Sequence, residues 1–216
     1  PYDLAYSSVV PKTIYQASLQ FNWLAFNLHA TVPSMKKPFY SVSFDKFCQF
    51  AEQGNLVPVY REILADLETP VSAFSKINFG DTAFLFESIE GGENWARYSF
   101  LGSGASQVIW IEKGKLRIKN GRKIENLSLN ANPLKHIQDI LAPFEPVHVP
   151  GLPRFVGGAV GYLGYDIVQH FEPIPSYPKD SANLPLLAFF LAETLLIFDN
   201  VAHTIKVVSN GHITSL

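Results

Sequence analysis

Apolar residues recur at helical spacing in three places, and each is opened by a side chain able to cap a helix. Ser43 precedes Phe44, Phe47, Cys48 and Ala51, which share one face, and Gly54 follows as a stop. Thr69 and Pro70 precede Val71, Phe74 and Ile77, with proline at the first helical position, where no amide needs a partner. Asn132 and Pro133 repeat the signal before Leu134, Ile137, Ile140 and Leu141, and Pro143 ends that stripe. A fourth, short helix is predicted over 165–170.

Between the helices the pattern turns to strands, predicted over 56–61, 83–89, 97–101, 107–112, 115–119, 123–129, 187–198 and 204–209. Lys113-Gly114 and Asn120-Gly121 are hairpin turn pairs, so 107–129 reads as a three-stranded antiparallel meander. Asn210-Gly211 is a third such pair, which predicts a hairpin after the last strand and a chain cut inside a larger fold. Helices alternating irregularly with antiparallel hairpins predict an α+β fold: a layered sandwich of mainly antiparallel sheet with helices packed outside. The proline-rich stretches 143–153 and 173–185 read as long connections, because strand patterns resume after each.

Composition narrows the function classes. Seventeen Lys and Arg against nineteen Asp and Glu give a net charge of -2 over 216 residues. No block of five like charges occurs, so neither a nucleic-acid grip nor a membrane patch is expected. The single cysteine, Cys48, excludes an internal disulfide framework and fits a reducing, cytoplasmic setting. The only methionine is Met35, directly ahead of the first helix signal. That placement predicts a native start there, with 1–34 an upstream extension outside the domain 35–216. A secretory leader is the competing reading, weakened by Gln20, Asn22, Asn27 and His29 within the apolar stretch.

Candidate chemistry is sparse. The run Gly157, Gly158, Gly161 and Gly164 invites a phosphate-loop reading, but no Lys-Ser or Lys-Thr follows and the residues between are apolar, which favours close packing of backbones. Cys48 lies on an apolar helix face with no histidine beside it in sequence, as a structural thiol does. The six histidines are scattered, so neither catalytic residues nor metal ligands are predicted. The remaining cluster is Glu87 and Ser88, where an apolar strand runs into a glycine turn, followed by Arg97. One of Glu87 and Ser88 is expected to point inward, and Arg97 can return to face them as a charged donor. A hydroxyl, a carboxylate and a guanidinium beside aromatic residues suit a zwitterionic amino acid.

At these residues the sequence resembles a known family. The segments LVPVYREI (56–63), ETPVSAF (68–74), FLFESIEGGENWARYSFLG (84–102), GGAVGYLGYD (157–166) and LAETL (191–195) resemble the N-terminal region of anthranilate synthase component I, a chorismate-utilising enzyme. The likeness runs in order from about residue 40 to residue 209. It implies a magnesium-dependent lyase of tryptophan biosynthesis. That enzyme converts chorismate, with ammonia from a glutamine amidotransferase subunit (component II), into anthranilate and pyruvate. The resemblance puts the chorismate and Mg2+ sites in a C-terminal catalytic domain that this chain lacks, so the fragment alone is expected to be inactive. It also implies that Glu87, Ser88 and Arg97 form half of an L-tryptophan feedback site. The chorismate-aminating subunit of aminodeoxychorismate synthase, in the folate pathway, and a standalone amino-acid-binding module without catalysis are the alternatives.

Overall fold

The computed structural model describes residues 41–78, 80–87, 97–129, 132–175 and 184–213. The predicted start at Met35 and the extension before it lie outside these residues, as do Ser88 and the glycine turn after it.

All three helix-start signals operate as local chemistry requires. Helix α1 (Phe44–Ala51) is capped by Ser43, whose side chain accepts from the Lys46 amide at 3.4 Å. Helix α2 (Pro70–Ile77) opens with a reciprocal box in which Thr69 Oγ1 accepts from the Ser72 amide at 3.1 Å and Ser72 Oγ accepts from the Thr69 amide at 2.9 Å. Helix α3 (Pro133–Leu141) is capped by Asn132, which accepts from the Leu134 amide at 3.0 Å. The predicted short helix is a 3-10 turn, Tyr165–His170.

The α+β class is borne out by two five-stranded antiparallel sheets. In chain order the strands are β1 (Leu56–Leu64), β2 (Ala83–Phe86), β3 (Tyr98–Ser103), β4 (Gln107–Glu112), β5 (Lys115–Asn120), β6 (Lys123–Leu127), β7 (Gly158–Leu163), β8 (Leu187–Ala192), β9 (Thr194–Asp199) and β10 (Thr204–His212). The first sheet has the order β1-β10-β9-β3-β2 and the second β6-β5-β4-β8-β7. They belong to two compact units: among the described residues, one holds those up to Gly104 with Phe144–Gly157 and those from Glu193 on, and the other holds those of Ala105–Pro143 and Gly158–Ala192.

In the first unit, α1 and α2 lay Phe47, Phe50, Ala73 and Ile77 against Val57, Val59, Leu101, Leu196, Phe198, Ile205 and Val207, all buried. Cys48 is half-buried at the border of this cluster, and burial, followed by the charges of Asp45 and Glu52, pushes its thiol pKa up. That is the environment of an inert thiol. In the second unit the meander forms as predicted, with Lys113 and Gly114 at φ 51° and 70° in the turn between β4 and β5. Its core is Ile109, Ile111, Leu116, Ile118, Ile167 and Leu187, with Leu134, Ile137 and Ile140 of α3 packed against it.

Three expectations are corrected. The run 187–198 is two strands: β8 pairs with β4 and β7, β9 pairs with β10 and β3, and the chain leaves one sheet and enters the other at Glu193. Asn210-Gly211 makes no hairpin turn. The pair continues β10 opposite Pro58 and Val57, and Asn210 spends its side-chain amide on the carbonyls of Val156 (2.7 Å) and Glu193 (3.1 Å), so nine ladder partners outweigh the local turn preference. Finally, β2 stops at Phe86, leaving Glu87 beyond the ladder.

Candidate functional site

The site is built at one end of the first sheet. Strands β2 and β3 are antiparallel neighbours with Phe86 opposite Phe100, so Glu87 at the end of β2 and Arg97 just before β3 emerge at the same end. Strand β9 finishes there too, with Asp199 opposite Tyr98. Of the three predicted residues, Glu87 is exposed, so it is not the inward member of its pair, and Ser88 lies outside the described residues.

Arg97 is held by a residue the sequence reading missed. Its Nε lies 3.2 Å from both carboxylate oxygens of Asp199, and its Nη2 lies 2.7 Å from Oδ2. Asp199 is 2% exposed, whereas the Arg97 side chain is 46% exposed. The guanidinium also sits 5.0 Å from the centre of the Tyr98 ring, a cation–π distance. The carboxylate is anchored from behind: its Oδ1 accepts from the amides of Val201 (3.2 Å) and Ala202 (3.0 Å), and the Asn200 amide donates to the Arg97 carbonyl at 2.8 Å. Asp199 thus ties the turn between β9 and β10 to the start of β3. The signal available in sequence was an Asp-Asn pair ending an apolar run, a common turn opening. Its partner lies 102 residues earlier, which no local pattern announces.

Burial alone would raise the Asp199 carboxyl pKa. The Arg97 hydrogen bond, the Ala202 amide, the Arg97 charge and the Val201 amide together outweigh it, and the carboxyl lies below its ordinary 3.8. With the folded pKa below the unfolded one, the stabilisation is complete above the unfolded value and is lost as pH falls through the folded value. The stability difference between the native chain and Asp199→Asn is therefore expected to be constant from neutral pH down to about 4 and to shrink below it. Urea titrations of both proteins at stepped pH check this, and a difference that grows on acidification contradicts it.

A second buried charge is Lys206 on β10, whose Nζ is 2.7 Å from Glu62 Oε2 on β1, with side-chain exposures of 9% and 47%. Within the glycine run the close backbone approach is at Gly161 and Gly164, whereas a Cβ on Gly158 would meet nothing within 4 Å and that residue is set apart by its φ of +123°. Strand β7 carries Gly158 and Gly161, and a Cβ on Gly161 would meet the Ala188 carbonyl oxygen at 2.0 Å. Among the described residues no group of three or more His, Cys, Asp or Glu side chains converges, and the buried carboxylate of the site faces a guanidinium, so these residues do not fit a magnesium ion. Among them, too, no helix is long and apolar enough to cross a membrane.

No protein-family model matches the sequence. Curated proteins do. Anthranilate synthase component 1 of Acinetobacter calcoaceticus is 42% identical over 178 residues, covering 80% of this chain and 36% of that protein. Anthranilate synthase component 1 of Acetivibrio thermocellus is 38% identical over 173 residues, covering 79% of this chain and 34% of that protein. The chain is similar to anthranilate synthase component 1 over about four-fifths of its own length. It spans about a third of the length of these relatives. Among solved structures, the crystal structure of anthranilate synthase component I from Streptococcus pneumoniae TIGR4 is 26% identical, with a TM-score of 0.45 over 68% of this chain and 31% of that one. The resemblance read from the motifs is borne out by the curated relatives, which are 38% and 42% identical to this chain.

Proposed function

We propose that this chain is the N-terminal regulatory segment of an anthranilate synthase component I, the part that carries half of the tryptophan feedback site. The observation that carries the reading is the identity of 38% to 42% to proteins of that name over about four-fifths of the chain and only about a third of theirs. In this reading the complete enzyme takes chorismate and ammonia to anthranilate and pyruvate. The ammonia comes from a glutamine amidotransferase partner, and magnesium is held by residues outside this chain. Glu87, Ser88 and Arg97 contribute to tryptophan binding, and the rest of the pocket comes from the C-terminal portion.

Feedback is then a coupling between two sites. Tryptophan favours an arrangement that handles chorismate poorly, and such couplings are typically about 1–3 kcal/mol. The sheet-end geometry supports a binding role, since Arg97 keeps about half of its side chain exposed while anchored by a buried acid.

The test uses the full-length enzyme with chorismate, ammonium and magnesium, read by anthranilate fluorescence. Tryptophan is expected to suppress the signal, and Ser88→Ala to raise the tryptophan concentration for half inhibition about tenfold, the loss of one or two hydrogen bonds to a charged ligand. Formation of no anthranilate points to the aminodeoxychorismate reaction. Inhibition untouched by Ser88→Ala removes Ser88 from the site.

A further inference from the structure

The Arg97–Asp199 pair carries more than a stabilising role, because of which edge of the guanidinium it uses. A guanidinium presents a side-on edge, from Nε and one terminal nitrogen, and an end-on edge, from the two terminal nitrogens. Asp199 takes the side-on edge, with contacts of 3.2, 3.2 and 2.7 Å to Nε and Nη2. The end-on edge retains the geometry that matches a second carboxylate. The side chain is 46% exposed, so Asp199 does not enclose it. Asp199 itself cannot swing: it is 2% exposed, and the Val201 and Ala202 amides fix one oxygen at 3.2 and 3.0 Å.

We propose that Asp199 is the positioning residue of the candidate inhibitor site, holding Arg97 side-on so that its end-on edge receives the α-carboxylate of the bound amino acid. The inference rests on the feedback reading above and deepens it. Without the grip, Arg97 retains its charge but samples many rotamers, and the ordering entropy falls on the binding step. Asp199 touches no ligand and acts only through Arg97.

The test is a double-mutant cycle in the full-length enzyme, reading the tryptophan concentration for half inhibition in the native protein, Arg97→Ala, Asp199→Asn and the double variant, with Ser88→Ala alongside. Asn keeps an oxygen for the two backbone amides and removes the charge that grips Arg97. Asp199→Asn is expected to raise the half-inhibition concentration about fivefold or more, and to add nothing once Arg97 is alanine. A merely structural role predicts additive effects, and additivity overturns the proposal. So does inhibition unchanged by Asp199→Asn while Ser88→Ala and Arg97→Ala weaken it, in which case the feedback reading survives. If Ser88→Ala and Arg97→Ala are both silent, the feedback reading falls, and the role of Asp199 falls with it. Should Asp199→Asn fail to fold, Arg97→Lys at its half-exposed position carries the test. It keeps the charge but not the two-edged geometry, so it is expected to lose as much inhibition as Arg97→Ala, and full inhibition overturns the proposal.

Discussion

Phe47→Ala is expected to destabilise the first unit by about 3–5 kcal/mol, the range for removing a fully buried aromatic side chain. Phe47 is 1% exposed at the centre of α1, and the helix has only eight residues. A helix that short does not persist on backbone hydrogen bonds alone, so its formation depends on the stripe it buries against β1, β9 and β10. Truncation removes both the stripe and the filling of the core. Phe44, on the same helix, is 48% exposed, and Phe44→Ala is expected to change stability by less than about 0.5 kcal/mol. The chain has two compact units, so one unfolding midpoint would mix them; amide hydrogen exchange resolves them. Phe47→Ala should lower protection across β1, β9 and β10 while the meander of the other unit keeps its own. Equal losses in both units, or equal effects of Phe47→Ala and Phe44→Ala, contradict the assignment.

The contrast between Phe44 and Phe47 shows how far the sequence could be read. Both fall on the apolar stripe by spacing, and the pattern alone ranks neither. What was legible is local: Ser43, Thr69 and Asn132 cap helices because their side chains reach amides two or three residues ahead, and Lys113-Gly114 turns because both residues accept positive φ. What was hidden depends on distant partners. The apolar run 187–198 has one hydropathy signature but serves two sheets, and only the pairing of β8 with β4 and of β9 with β10 divides it. Asn210-Gly211 has turn chemistry that a nine-residue ladder with β1 overrides. The same limit applies at the candidate site. Arg97 could be named from a motif, but its orientation is set by Asp199, which becomes its neighbour only when β9 is placed beside β3.

Gly161→Val is the sharpest test of the glycine run, because two physical readings make opposite predictions. By strand propensity alone, valine in β7 would help. Sterically it cannot fit: a Cβ at that position lies 2.0 Å from the Ala188 carbonyl oxygen and 2.6 Å from the Phe189 Cα, both backbone atoms of the paired strand β8. Neither can rotate aside as a side-chain tip would, so β7 must separate from β8 or shift register. A loss of about 2–3 kcal/mol from the second unit is expected, at the upper end of overpacking costs. It would be seen as lost exchange protection over 158–163 and 187–192, with the first unit unaffected. Gly114→Ala provides the control. Nothing lies within 4 Å of a Cβ there, and the only obstacle is its φ of +70°, so a cost near 1 kcal/mol from backbone strain is expected. If the run were an anion cradle, Gly161→Val would abolish stabilisation by added phosphate and leave folding without phosphate intact. Close packing of β7 on β8 predicts the reverse: a folding defect of the same size with and without phosphate.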